Sequence, residues 1–355
     1  MAEPAAGPAA GGDVLALDVG GANIKAADGL GWVHNEPFEL WRRRRDLPAA
    51  LADLVSRRRP GRIVATMTGE IADCYGSRSE GVADIVSALV AAAAASPDGR
   101  AAAAPTLGIY LVDGSIVPPH EAVRRPLEAA ASNWHAVARL AASCTPSDRA
   151  FVIDVGSTTT DIVPLRDGGP AATGRDDLSR MGTGELVYTG VERTPVASIV
   201  RSLPWRGRLR PVASELFAQS RDVWLLMGGL AEDPLTDNTA DGGPATRAAA
   251  RRRLARMLLA DPDDVRDEEA AAMAAWCADR QAAKIAAALA RVVATCGWRP
   301  ATIVLSGHGE PLARRGLAVA GWDVPLVSLP EALGPDVSRA APAHGLALIA
   351  RGRLP

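Results

Sequence analysis

Aspartate, glycine and hydroxyl side chains recur together twice in this chain, at spacings suited to holding phosphate. The first segment runs Leu15-Ala16-Leu17-Asp18-Val19-Gly20-Gly21-Ala22-Asn23-Ile24-Lys25. The second runs Phe151-Val152-Ile153-Asp154-Val155-Gly156-Ser157-Thr158-Thr159-Thr160-Asp161. In each, an apolar strand carries an Asp to its rim. Backbone N–H groups at Gly20–Gly21 and Gly156–Ser157 can come close to an anion because glycine adds no side chain there. The hydroxyls of Ser157, Thr158 and Thr159, with Asn23 and Lys25, supply further donors. Asp18 and Asp154 suit Mg²⁺, which takes oxygen ligands and keeps several waters beside a substrate phosphate. The pair reads as two halves of one clamp around a phosphorylated ligand.

Each segment needs a strand–turn–strand frame, and the surrounding pattern supplies it. Strands are expected at Val14–Val19, Ile24–Ala27 and Trp32–Phe38, with turns at Gly20-Gly21 and Asp28-Gly29. Apolar spacing predicts helices over Leu47–Arg58, Glu80–Ala95 and Asn133–Ser143, around strands Ile63–Thr68 and Leu107–Val112. The meander restarts at Phe151–Val155 and Thr160–Leu165, with a turn at Gly168-Gly169, so the halves read as distant repeats. Beyond it lie a turn-rich stretch from Trp205 to Asp241 with a short strand at Trp224–Met227, and helices over Thr246–Leu259 and Asp267–Cys296. A strand Ile303–Leu305 and a last helix near Ala343–Ala350 complete the pattern. The expected organisation is a tail over residues 1–12, a first lobe over 13–147 and a second over 148–355. An inserted segment falls at about residues 200–245 of the second lobe.

Composition narrows the partners. At 355 residues the chain is long enough for two cores, and 48% hydrophobic with 23% charged residues is ordinary for a globular protein. A net charge of −2 favours neither nucleic acid nor an anionic membrane. Cys74, Cys144, Cys277 and Cys296 form no C-x-x-C pair, so reduced structural thiols are expected. Met1–Gly12 lacks the basic and apolar regions of a signal peptide, and the Ala-rich run Ala88–Ala104 is broken by Pro97. A cytoplasmic protein acting on small molecules is expected, and the sequence leaves room for a homo-oligomer.

The Asp18–Lys25 and Asp154–Asp161 segments resemble the two phosphate motifs of the actin/sugar-kinase/Hsp70 superfamily. Ser306-Gly307-His308-Gly309-Glu310 resembles its adenosine motif. The resemblance implies a two-lobed α/β, actin-like (ribonuclease H-like) fold with the ligand in a cleft between lobes. It also places Gly307, His308, Gly309 and Glu310 at the nucleotide or diphosphate. His308 departs from the glycine-rich pattern and makes ATP the less favoured ligand, while offering a furan or phenol a stacking or hydrogen-bonding partner.

Thr66-Met67-Thr68-Gly69-Glu70-Ile71-Ala72-Asp73-Cys74-Tyr75 is similar to the signature of the hydantoinase/oxoprolinase-related branch. Gly184–Pro195 and Asp237–Thr246 resemble proteins linked to tetrahydromethanopterin-dependent one-carbon transfer, whose archaeal relative is the condensing enzyme of methanofuran biosynthesis. That resemblance implies joining an aminomethylfuran-methyl diphosphate to the phenol oxygen of tyramine or γ-glutamyltyramine, with release of pyrophosphate. Lys25 and Mg²⁺ would stabilise the departing pyrophosphate, and Asp154, Asp161 or Glu70 would take the phenol proton. Thr68, Asp73, Gly184, Glu185 and Arg193 become substrate candidates. Three rivals remain open: a small-molecule kinase with Asp154 as base, a hydantoinase-like ATP-dependent hydrolase, and a non-catalytic nucleotide sensor.

Other features have plainer expectations. The runs Arg42–Arg45, Arg57–Arg59 and Arg251–Arg253 read as solvated faces, and Glu268-Glu269 as helix-dipole capping. Cys74 reads as a buried thiol more readily than as a nucleophile.

Overall fold

The computed structural model describes residues 14–95, 104–145 and 147–354; the expected N-terminal tail, the turn at Pro97 and Pro146 lie outside them. The chain divides into two units. One comprises residues up to Leu140 together with the chain from Ala340, and the other runs from Ala141 to Arg339.

In the first unit, β1 (Val14–Val19), β2 (Asn23–Ala27), β3 (Val33–Pro37), β4 (Arg62–Met67), β5 (Thr106–Tyr110) and β6 (Ile116–Val117) form one sheet in the order β3-β2-β1-β4-β5-β6. β1 is buried at every position, as a strand flanked on both edges and covered on both faces must be. It runs antiparallel to β2 and parallel to β4. The helix Leu47–Arg58 turns Leu47, Leu51, Leu54 and Val55 inward, the i, i+4, i+7, i+8 stripe expected of it.

The second unit repeats the plan. Its strands are β7 (Arg149–Val155), β8 (Thr160–Arg166), β9 (Gly169–Pro170), β10 (Leu186–Val187), the hairpin pair β11 (Ser202–Trp205) and β12 (Arg208–Pro211), β13 (Thr302–Gly307) and β14 (Leu326–Ser328). The main sheet has the order β10-β8-β7-β13-β14, with β9 on β8. β7 is antiparallel to β8 and parallel to β13, matching β1 between β2 and β4. Each unit therefore has the ribonuclease H-like arrangement of actin-like ATPases. The 30-residue helix Asp267–Cys296 forms the spine of the second core, burying Met273, Cys277, Ile285 and Leu289. Glu269 accepts from the Arg266 N–H at 3.0 Å, so the acidic start of that helix is a cap.

Three expectations are corrected. The run Trp224–Met227 is not a strand but the end of a helix, Ser220–Leu226, with Met227 as its C-cap: Gln219 and Asp222 form a capping box, and a short apolar run does not by itself distinguish the two states. The helix Ala341–Ala350 packs on β1, β2 and β4 of the first unit, so the second unit does not continue to residue 355. Gly345 permits this, because a Cβ there would lie 2.7 Å from the Ala136 carbonyl oxygen. Arg253 is fully buried, not solvated, and pairs with Asp222 at 2.7 Å and Asp241 at 2.9 Å.

Candidate active site

In the first unit, β1 presents Asp18 opposite Lys25 on β2 and Thr66 on β4. Asn35 on β3 lies opposite Lys25, so Asn35, Lys25, Asp18 and Thr66 form a polar row across four strands. Lys25 Nζ is 3.5 Å from Asp18 Oδ2, while the buried Asp18 Oδ1 has no hydrogen-bond partner. Burial raises the Asp18 pKa above its ordinary value, and the Lys25 ammonium works against that rise. A buried carboxylate with one unengaged oxygen fits an oxygen-seeking cation. Among the described residues no group of three or more His, Cys, Asp or Glu gathers to hold a metal.

The turn after Asp18 is closed by Gly20 N–H donating to the Asn23 carbonyl at 2.9 Å. Gly20 is needed for that closure, since a Cβ there would fall 2.8 Å from the same oxygen. Gly21 faces open space and is where backbone can meet an anion. Thr68 and Gly69 both donate their N–H to Val19 O at 3.0 Å, which fixes the Thr66–Tyr75 segment beside the turn. Glu70 is wholly buried and Asp73 is exposed. The segment is braced from below: Tyr75 donates to Asp84 at 2.9 Å, and Arg44 reaches Asp84, Glu80 and the Cys74 carbonyl. Burial pushes the Cys74 thiol up, the opposite of an activated nucleophile.

In the second unit, Gly156 N–H closes the corresponding turn on Thr159 O at 3.0 Å. The half-buried Ser157, Thr158 and Thr159 line it. Glu192 and Arg193 donate their N–H groups to Ser157 O at 3.0 and 2.9 Å, stitching the Gly184–Pro195 segment to the turn. Gly190 allows the approach, because a Cβ there would lie 2.6 Å from Gly156 O. A buried polar network supports it: Gln281 donates to Thr189 Oγ1 and Gly190 O at 2.9 Å and accepts from Trp224 Nε1 at 3.0 Å.

Asp154 and Asp161 sit opposite each other on β7 and β8. Asp161 is committed to the buried Arg180 at 2.9 Å, which makes it an anchor. Ser306, missed as a site residue, lies opposite Asp154 on β13, and its buried hydroxyl has no hydrogen-bond partner. Gly307 adopts φ +82°, and a Cβ there would fall 2.2 Å from Val155 O and 2.9 Å from Asp154 Oδ1. Gly307→Ala should therefore cost about 1–2 kcal/mol in backbone strain alone and displace Asp154. Urea melts together with turnover would check it, with both expected to fall.

Other sequence candidates have structural work. Gly184 caps the helix Asp177–Thr183 at φ 87°, and Glu185 accepts from Thr173 and Gly174 N–H at 2.7 and 2.8 Å. Glu310 accepts from Ser328 at 2.7 Å and pairs with Arg314. In the Asp237–Thr246 segment, Asp241 accepts from Gly243 N–H at 3.1 Å and pairs with Arg253 and Arg256. These residues shape loops instead of presenting free groups.

His308 stands between Gly307 and Gly309 at the end of β13, its Nε2 3.0 Å from Glu192 Oε1. Glu192 also holds Arg221 at 2.6 Å and Arg339 at 3.4 Å. Burial works to raise the Glu192 pKa, but His308 and the two guanidinium groups carry it down to about 2. A carboxylate lowered in the folded state adds stability above its ordinary pKa of 4.5, and that stability is lost as pH falls from there toward 2. Glu192→Gln should therefore be less stable near neutral pH by on the order of 3 kcal/mol. Urea midpoints measured from neutral to acid pH should show the gap to wild type narrowing below the ordinary Glu pKa.

The two units thus define a pair of actin-like folds, each with an Asp-bearing strand and a glycine turn. A model of the hydantoinase/oxoprolinase family matches residues 62–325, and the chain belongs to that family. It is 30% identical over 346 residues, 96% of this chain and 98% of the other, to the (4-{4-[2-(gamma-L-glutamylamino)ethyl]phenoxymethyl}furan-2-yl)methanamine synthase of Methanocaldococcus jannaschii. The synthase of the same name from Methanococcus vannielii is 29% identical over 206 residues, 58% of this chain and 91% of the other. Among solved structures, a nucleotide-free acetone carboxylase shares the fold at TM-score 0.54 and 11% identity, over 95% of this chain and 70% of that one.

Proposed function

We propose that this chain is a synthase of furan-cofactor biosynthesis that joins an aminomethylfuran-methyl diphosphate to the phenol oxygen of tyramine or γ-glutamyltyramine and releases pyrophosphate. The near full-length similarity to the Methanocaldococcus jannaschii synthase carries the reading. The name of that enzyme describes an aryl ether between a furfuryl carbon and an aminoethylphenol, the bond such a condensation forms.

The chemistry suits the residues. A furfuryl carbon parts readily from a good leaving group because the ring oxygen donates electron density to it. Charge builds on the departing pyrophosphate, and donors suited to it are Lys25 and the Gly21 N–H in the first unit or the Ser157 N–H in the second. Asp18 or Asp154 would be the residue to hold Mg²⁺, which would supply further neutralisation. Four free cysteines suit a cytoplasmic setting, and among the described residues no helix is long and apolar enough to cross a membrane.

Mixing the protein with Mg²⁺, the furan diphosphate and tyramine should release pyrophosphate together with an ether of the expected mass. Phosphate release from ATP without furan-dependent pyrophosphate would instead place the chain with the kinases or hydrolases of its superfamily.

A further inference from the structure

The cluster of His308, Glu192, Arg221 and Arg339 is built entirely from the second unit and draws on four separate places in the sequence. Glu192 lies in the loop whose backbone is pinned to Ser157 of the phosphate turn. Arg221 comes from the helix Ser220–Leu226 and Arg339 ends the helix Pro335–Arg339. His308 follows Gly307, over which Asp154 Oδ1 lies.

The Glu192 carboxylate is buried, ionised and held by two guanidinium groups, so it is a fixed charge and not a mobile side chain. A fixed carboxylate 3.0 Å from one imidazole nitrogen is within ion-pair reach of it, although the two are not aligned as a hydrogen bond, and it holds the ring in place. With Nε2 turned to Glu192, Nδ1 is the nitrogen left to accept a proton. The ring retains 16% of its side-chain exposure, whereas Glu192 retains 7%. The less buried member of the pair is thus the one suited to meet substrate.

We propose that His308 is the base that takes the phenol proton, with Glu192 as its positioning residue. The inference rests on the condensation proposed above. In the step, the phenol O–H proton passes to His308 Nδ1 while the phenol oxygen's electron pair forms the bond to the furfuryl carbon. The bond from that carbon to the diphosphate oxygen breaks, and its pair leaves on pyrophosphate. His308 then returns its proton to solvent. Asp161 is engaged by Arg180 and Glu70 has no exposure, so neither competes well for this role.

The test uses the full chain with tyramine and with nitrotyramine, whose phenol is more acidic and needs less help from a base. His308→Ala should lower kcat about 100-fold or more with tyramine while leaving KM for the diphosphate near wild type. The loss should shrink several-fold with nitrotyramine, and added imidazole should restore part of it. Glu192→Gln should lower kcat more with tyramine than with nitrotyramine, while leaving KM for the diphosphate near wild type. His308→Gln and a thermal melt guard against simple misfolding: a variant that stays folded and active with nitrotyramine supports the role. Equal loss with both phenols, no imidazole rescue, or an unchanged kcat would overturn it while leaving the condensation intact. A wild-type protein that forms no ether would overturn both.

Discussion

Asp18→Asn should abolish most of the activity, by a factor of about 100 to 1,000, without unfolding the protein. Its carboxylate carries one oxygen toward Lys25 and one with no hydrogen-bond partner, which suits it to a cation on the proposed reading. Asparagine keeps the shape and removes the charge. The stability effect should have the opposite sign to the activity effect. An aspartate whose pKa is raised by burial weakens the folded state as pH rises past its ordinary value of 3.8. The variant escapes that cost, although Lys25 loses its partner. Urea midpoints for the two proteins should therefore separate in favour of the variant as pH rises from acid to neutral, while turnover collapses. A variant that keeps full activity would remove Asp18 from the site.

The largest loss of stability is expected from Arg253→Met. The Arg253 guanidinium is fully buried between Asp222 and Asp241 and donates further to the Pro244 carbonyl. Removing it leaves the buried Asp222 carboxylate without its countercharge, a change that typically costs about 3–5 kcal/mol. Against a total of roughly 5–15 kcal/mol, that is enough to populate the unfolded state on mild heating. Denaturant melts should show the loss, and Asp222→Asn in the same chain should recover part of it. A melt unchanged from wild type would mean that the pair contributes little beyond packing.

Much of the scaffold was legible because short-range rules decide it. The helices Leu47–Arg58 and Asp267–Cys296 and the strand Val14–Val19 have the bounds their apolar periods predict, and the second meander repeats the first. Around Trp224, four apolar residues satisfy a strand or a helix equally until Gln219 and Asp222 cap the turn. The helix Ala341–Ala350 could be found but not placed, since nothing local says which core a late apolar helix joins.

At the site, the two glycine turns follow from residue type, and their closing hydrogen bonds have the geometry that type demands. The partners of the charged groups do not follow. Residue type alone makes Asp161 a candidate base and Arg253 a solvated charge, whereas Arg180 and Asp222 engage them in the fold. Glu192 was visible only as one letter of a longer motif; its meaning depends on His308, Arg221 and Arg339, which only the tertiary fold gathers. Long-range ion pairs carry no sequence period, so they are where reading along the chain fails.

On the proposed reaction pyrophosphate departs by cleavage at carbon, and an isotope label tests this directly. The furan diphosphate would carry heavy oxygen in the bridge between its methylene carbon and the first phosphorus. After turnover with tyramine, mass spectrometry would locate the label. All of it should appear in pyrophosphate, with the unlabelled phenol oxygen retained in the ether. Label left on the furan carbon would mean attack at phosphorus, and would contradict the account.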